Sequence, residues 1–244
     1  RDQQLAGLRR LFKPGAAQAL AVAGLDAAPI ALHLARALAA DGARVLVIDR
    51  EVGAIARHAG IVARFDLAQA LDGDRPALDV LCDGPDGITV LPAARAFARL
   101  ADSDWQAPIG AVAARVGAFD HWIVHGGALA GVDTLCALAP TPESITACYA
   151  VLKHLARSRG TASIVAHGAR SEQAARDAYR NVAATARRFL SLDVALEAFV
   201  PGAPWPSPQL APWTSFAATA AGRGFAELAH RRGAPADAQA ALQG

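Results

Sequence analysis

Short apolar runs that end in glycine or aspartate alternate along the chain with longer stretches in which apolar residues recur every three or four positions. That alternation predicts strands and helices in turn. The run "ALAVAG" (19–24) predicts a buried parallel strand, because it is apolar throughout rather than at every second position. A helix over 29–41 follows, with Pro29 in its first turn and Asp41-Gly42 as its stop, and "RVLVID" (44–49) predicts a second buried strand. The pattern then predicts a helix over 66–74 and strands over 87–93, 120–127 and 133–140. A helix over 141–160 has a proline and an acid in its first turn and bases in its last, as the helix dipole favours. A strand over 162–169, a long helix over 171–191, a strand over 193–201 and one final helix over 216–232 complete the series. The fold class expected is α/β, a doubly wound and mostly parallel sheet flanked by helices.

Three segments fall outside that rhythm. Residues 2–12 have leucines at 5, 8 and 11 and Phe12, the spacing of an amphipathic helix, and Lys13-Pro14-Gly15 breaks it. The organisation expected is therefore an N-terminal helix in 1–14, a single α/β domain in 15–233, and a flexible Ala/Gln-rich tail in 234–244. The stretch "PGAPWPSPQLAP" (201–212) reads as extended loop. Its Trp205, with Trp213 just beyond, is read in two ways: as an anchor for a partner, or as cover for the end of the sheet.

Composition narrows the chemistry. Across 244 residues, 24 Lys+Arg face 22 Asp+Glu, so the basic surplus of a dedicated nucleic-acid binder is missing and no nucleic-acid partner is expected. Cys82, Cys136 and Cys148 form no C-x-x-C pair and read as buried small apolar residues in a reducing compartment. No signal-peptide pattern opens the chain and no purely apolar run reaches membrane-spanning length. The expected setting is cytoplasmic, with recruitment to the cell pole or membrane by partners. "FAELAHRRG" has too short an apolar face for more than weak membrane association. His121 and His125, four apart on one strand face, suggest either a metal site or ordinary packing.

The opening strand, helix and strand ending in Asp49 form the βαβ unit of a nucleotide-binding fold, but the turn between the first strand and the helix reads Gly24-Leu25-Asp26-Ala27-Ala28-Pro29. One glycine remains, lysine, serine and threonine are absent, and Asp26 stands where phosphates would lie. A carboxylate there repels a triphosphate by several kcal/mol in a partly dry site.

The order of the pieces resembles the MinD/ParA family of deviant Walker ATPases, and within it the FlhG (FleN) group that regulates flagellar number and placement. "DQQLAGLR" resembles that group's DQ-x-x-x-L-R activation helix, and "VLVIDREVG" its strand ending in D-A-D-x-G. "GDRPALDVLCDGPDGITVLPAA", "TPESITACYAVLKHL" and "ARRFLSLDVALEAFVP" follow three further stretches in the family's order. The resemblance implies a GKGGVGKT loop, whose glycines wrap phosphates, whose lysines neutralise them and whose threonine holds Mg²⁺. This chain departs from it in the turn 24–29. It departs again at the Walker B aspartate, which aligns with His125, a poor Mg²⁺ ligand, and at the base-reading asparagine, which aligns with His167. Asp49 and Gly53 survive from the family's set, and Asp49 reads either as a relic of catalysis or as a cap.

The function expected is that of a FlhG-like regulator and pseudo-ATPase, acting by protein–protein binding without a cofactor. Gly24, Asp26 and Asp49 mark its degenerate phosphate region. A divergent ATPase still using ATP and Mg²⁺, or an accessory factor of another MinD-like system (cellulose synthesis, chromosome or plasmid partition), is the alternative. The resemblance implies a partner of the FlhF type, an SRP-type GTPase, or another flagellar assembly protein. Asp2, Gln3, Leu8 and Arg9 match the activation helix in type, with a spacing one residue longer; one residue turns a helix by about 100°. In the other register, Gln3 and Gln4 fill the DQ slots.

Overall fold

In a computed structural model, residues 17–101, 104–208 and 211–233 are described, and they form an eight-stranded sheet between two layers of helices. The strands are β1 (Gln18–Ala23), β2 (Val45–Asp49), β3 (Cys82–Asp83), β4 (Thr89–Pro92), β5 (His121–His125), β6 (Asp133–Leu138), β7 (Ala162–His167) and β8 (Ala195–Val200). Their order in space is β3-β4-β2-β5-β1-β6-β7-β8, parallel except for the β3–β4 pair. β1 lies near the middle, bonded to β5 and β6, so the ends of β1, β2, β5, β6 and β7 share one edge of the sheet.

Alternation along these strands feeds both faces. Val22, Leu135 and Ala137 join one core with α1 (Ala27–Ala40) and α2 (Ala54–Ala59). Ala21, Leu46 and Ile48 join a core on the other face, under α3 (Leu67–Leu71), α4 (Ala94–Phe97) and α5 (Gln106–Ala113). Cys136 and Leu138 meet α6 (Pro142–Ser158) and α7 (Glu172–Leu190). The caps of these last two helices are legible in the chain: Thr141 accepts from Ser144 N–H, and Ser171 from Ala174 N–H. α8 (Trp213–Phe216) and α9 (Ala220–Gly233) return over α1.

The single helix expected over 216–232 is a correction: the chain breaks after Phe216 and restarts at Ala220. Thr219 makes the break, its hydroxyl donating to Phe216 O (2.7 Å) and accepting from Gly222 N–H (3.0 Å). The helix expected within 1–14 and the tail within 234–244 lie outside the described residues.

α1 is apolar almost all round because it lies between the sheet and α9, yet it carries two polar residues inside, His33 and the fully buried Arg36. Arg36 Nε donates to Asp86 Oδ2 (2.5 Å) and Nη2 to Ala211 O (2.7 Å), with Nη1 3.0 Å from His33 Nδ1. Its guanidinium stands over the rings of Trp213 and Phe216, at 5.6 and 5.7 Å. Asp86 holds a left-handed backbone (φ 54°), and its second oxygen accepts from Trp213 N–H (3.3 Å). This cluster clasps the proline-rich segment to the domain.

Candidate functional site

The site lies along the sheet edge where β1, β2, β5 and β7 end, the crevice in which open α/β sheets bind ligands. β1 turns into α1 through Gly24 at φ +118°; a Cβ there would meet Ala137 O at 2.9 Å, so the turn hugs β6 and admits glycine alone. Leu25 is then 59% exposed, and Asp26 caps α1 in position only. Its carboxylate makes no cap bond; Oδ2 lies 3.6 Å from His167 Nε2 at the end of β7.

His167 is 1% exposed, and neither ring nitrogen has a hydrogen-bond partner among the described residues. Burial lowers its pKa, against a smaller opposing pull from Asp26. The Trp205 indole covers it, with ring centroids 5.7 Å apart, and is pinned by donation from Nε1 to Pro201 O (2.8 Å).

At the end of β2, Asp49 is 2% exposed and its acceptor positions are taken by Glu51 N–H (3.1 Å), Ile55 N–H (2.9 Å) and His125 Nδ1 (3.0 Å). Since a carboxylate accepts, His125 carries its proton on Nδ1, and Nε2 faces Glu51 Oε2 at 4.0 Å. Asp49 thus ties the turn into α2 and the end of β5 together. Asp49→Ala is expected to destabilise the fold by about 2–3 kcal/mol, read by urea unfolding, because the buried Ile55 N–H, the part-buried Glu51 N–H and a buried imidazole lose their acceptor.

The nearby arginines point elsewhere. Arg50 lies over Phe97 (4.6 Å) and donates to Ala128 O (3.3 Å), and Arg57 donates to Val52 O (3.1 Å). His58 is held below its ordinary pKa first by burial, then by Arg57 and His125, with Asp26 opposing. The edge therefore presents the Asp26 and Glu51 carboxylates over the imidazoles of His167 and His125. Phosphate binding needs the opposite polarity. A cavity of about 180 Å³ beside α1, lined by Pro29, His33, Arg57, His58 and Trp205 among others, is below the roughly 300–1,000 Å³ of ordinary small-molecule sites.

His121 and His125 do share a strand face, but four strand steps set them about 13 Å apart, too far to share one metal. No group of three or more His, Cys, Asp or Glu among the described residues is arranged to hold a metal. Of the two readings of the tryptophans, the geometry is that of cover: Trp205 and Trp213 pack with His33, Phe216 and Phe225. Cys136 and Cys148 are buried, whereas Cys82 is half-buried. Asp2, Gln3, Gln4, Leu8 and Arg9 lie outside the described residues. Arg36 and the Asp49–His125 pair went unnoticed in sequence. The only signal for Arg36 was its place, three residues after His33, in an otherwise apolar helix.

His33 has a measurable consequence. Burial first, then the charges of Arg36 and His58, push its pKa from 6.5 down to about 3. Below pH 6.5 the unfolded chain takes up a proton that the folded one refuses until about pH 3, so stability falls on acidification through that window. The contribution is at most about 1.4 kcal/mol per pH unit. His33→Phe, which keeps a ring in the stack, is expected to remove about one proton's worth of slope from unfolding free energies measured between pH 6 and 4.

No protein-family model matches the chain. Among solved structures it is similar to the MinD cell division protein of Aquifex aeolicus, with a TM-score of 0.63 and 17% identity over 88% of this chain and 96% of that one. It is similar also to a plasmid partition protein of Borrelia burgdorferi (TM-score 0.58, 8% identity, 88% and 97% covered) and to Cyanothece McdA in an ATP complex (TM-score 0.55, 13% identity, 90% and 96% covered). The fold is that of the MinD/ParA class of P-loop-like α/β proteins. In sequence the chain is 28% identical over 191 residues to the antiactivator FleN of Pseudomonas aeruginosa, covering 71% of this chain and 68% of FleN. In sequence it is thus similar to FleN, and in fold to MinD and the partition proteins. Among the described residues no helix is long and apolar enough to cross a membrane.

Proposed function

We propose that this protein is a regulator of flagellar number and placement that works without nucleotide, by binding protein partners. The similarity to FleN supports the flagellar setting. One observation carries the loss of ATP chemistry: where the family's phosphate loop and Walker B aspartate would hold Mg²⁺-triphosphate, this chain has the Asp26 carboxylate and the Asp49-bound His125. Trp205, packed over His167, takes up room on the side where the family's base-reading asparagine would act. Isothermal titration calorimetry with ATP and ADP plus Mg²⁺ tests this. No heat at millimolar nucleotide is expected, and micromolar binding would restore the ATPase reading.

The partner expected from the family is an SRP-type GTPase of the FlhF kind, contacted through Asp2, Gln3 or Gln4, Leu8 and Arg9. Its GTP turnover is to be compared with the full chain and with a chain lacking residues 1–13. Equal turnover would remove the N-terminal segment from the activity.

A further inference from the structure

Asp26 and His167 form a pair that the fold leaves unfinished. An aspartate at an N-cap normally accepts from the helix's first N–H groups, a bond whose loss costs about 1 kcal/mol. The Asp26 side chain is 48% exposed, forgoes that bond and turns across the crevice towards His167. The imidazole behind it is buried with both nitrogens unsatisfied among the described residues. Buried polar atoms are otherwise nearly always hydrogen-bonded. The carboxylate and Nε2 stand 3.6 Å apart, beyond hydrogen-bond reach, at the edge where β1 and β7 end. A donor with two N–H groups would complete both.

We infer that this crevice receives an arginine side chain from a partner protein, flanked in the partner by an apolar residue. Rotation of the half-exposed Asp26 away from His167 gives a planar guanidinium fork room to donate to the carboxylate and to Nε2 together. His167 serves as acceptor in its neutral form, which burial favours. The apolar neighbour is called for by Leu25, 59% exposed beside Asp26, and by Val52, 81% exposed in the turn after β2. The site has kept the family's crevice and exchanged its preference from polyanion to cation. This rests on the nucleotide-free reading above, since a bound triphosphate would occupy the same space.

The test is a heteronuclear NMR titration of the full chain with N-acetyl-arginyl-leucinamide, with the citrulline analogue as the uncharged control and Mg²⁺-ATP as a third probe. Saturable shifts confined to Leu25, Asp26, Val52 and His167 are expected with the arginine peptide. Affinity should fall at least tenfold for the citrulline peptide and for Asp26→Asn, a half-exposed change whose unchanged remaining spectrum certifies the fold. Absent shifts, or equal shifts with citrulline, overturn the inference while a silent ATP titration leaves the nucleotide-free reading standing. ATP shifts at these residues overturn both. A doubled mass of the free chain that Asp26→Asn abolishes would make the occupant a second copy and overturn the assignment to a separate partner.

Discussion

Arg36→Ala is expected to lower the unfolding free energy by about 3 kcal/mol, the lower end of the range for breaking a buried ion pair from one side, because the Asp86 carboxylate keeps some contact with water. For a chain of this size that corresponds to a fall in Tm of roughly 10 °C. The guanidinium is fully buried and joins three segments far apart in sequence: Asp86 before β4, Ala211 in the proline-rich stretch, and His33 on its own helix. Removing it leaves Asp86 Oδ2 and the Ala211 carbonyl without their donor and opens a gap beside the rings of Trp213 and Phe216. The pair Arg36→Met with Asp86→Asn should recover part of the loss, since it removes the orphaned charge while the amide oxygen still accepts from Trp213 N–H and asparagine tolerates the left-handed backbone. Thermal unfolding of the single and double variants measures the coupling. Additive losses would mean that the clasp is held by the rings and not by the ion pair.

Gly222→Ala should destabilise by about 3 kcal/mol or more, against the ordinary sign of such a change. In an exposed helix, alanine gains about 1 kcal/mol over glycine. Here the added Cβ would lie 2.1 Å from Phe216 O and 2.6 Å from Ala217 Cα, and both are backbone, which cannot rotate aside. Relief requires α9 to move from α8, undoing the Thr219 bonds and loosening Trp213 and Phe216 over α1. Loss of near-ultraviolet circular dichroism at temperatures where the helical signal persists would report that loosening. A gain in stability would show that the α8–α9 junction has slack.

Much of this fold was legible because its signals are local. The run "RVLVID" is a strand buried on both faces, and the caps at Thr141 and Ser171 sit where a helix must begin. α5 was missed because Pro108 and Gly110 disguise an eight-residue helix, and β3 because two residues carry no period. The 216–232 helix was read through Gly222 and Thr219, whose meaning depends on the packing of Phe216. At the site, the phosphate-loop departure and Asp26 were visible in the chain. The partners of Asp49 and His167 were not, because His125 lies 76 residues from Asp49, and strand order alone sets β2 beside β5.

The Asp49–His125 contact also bears on how such a chain could change. A single change of His125 to aspartate would set two carboxylates face to face, about 3 Å apart and buried. The imidazole works as a ratchet: by satisfying Asp49 it stabilises the present sequence, and it makes a carboxylate at position 125 unfavourable unless a proton or a cation arrives with it.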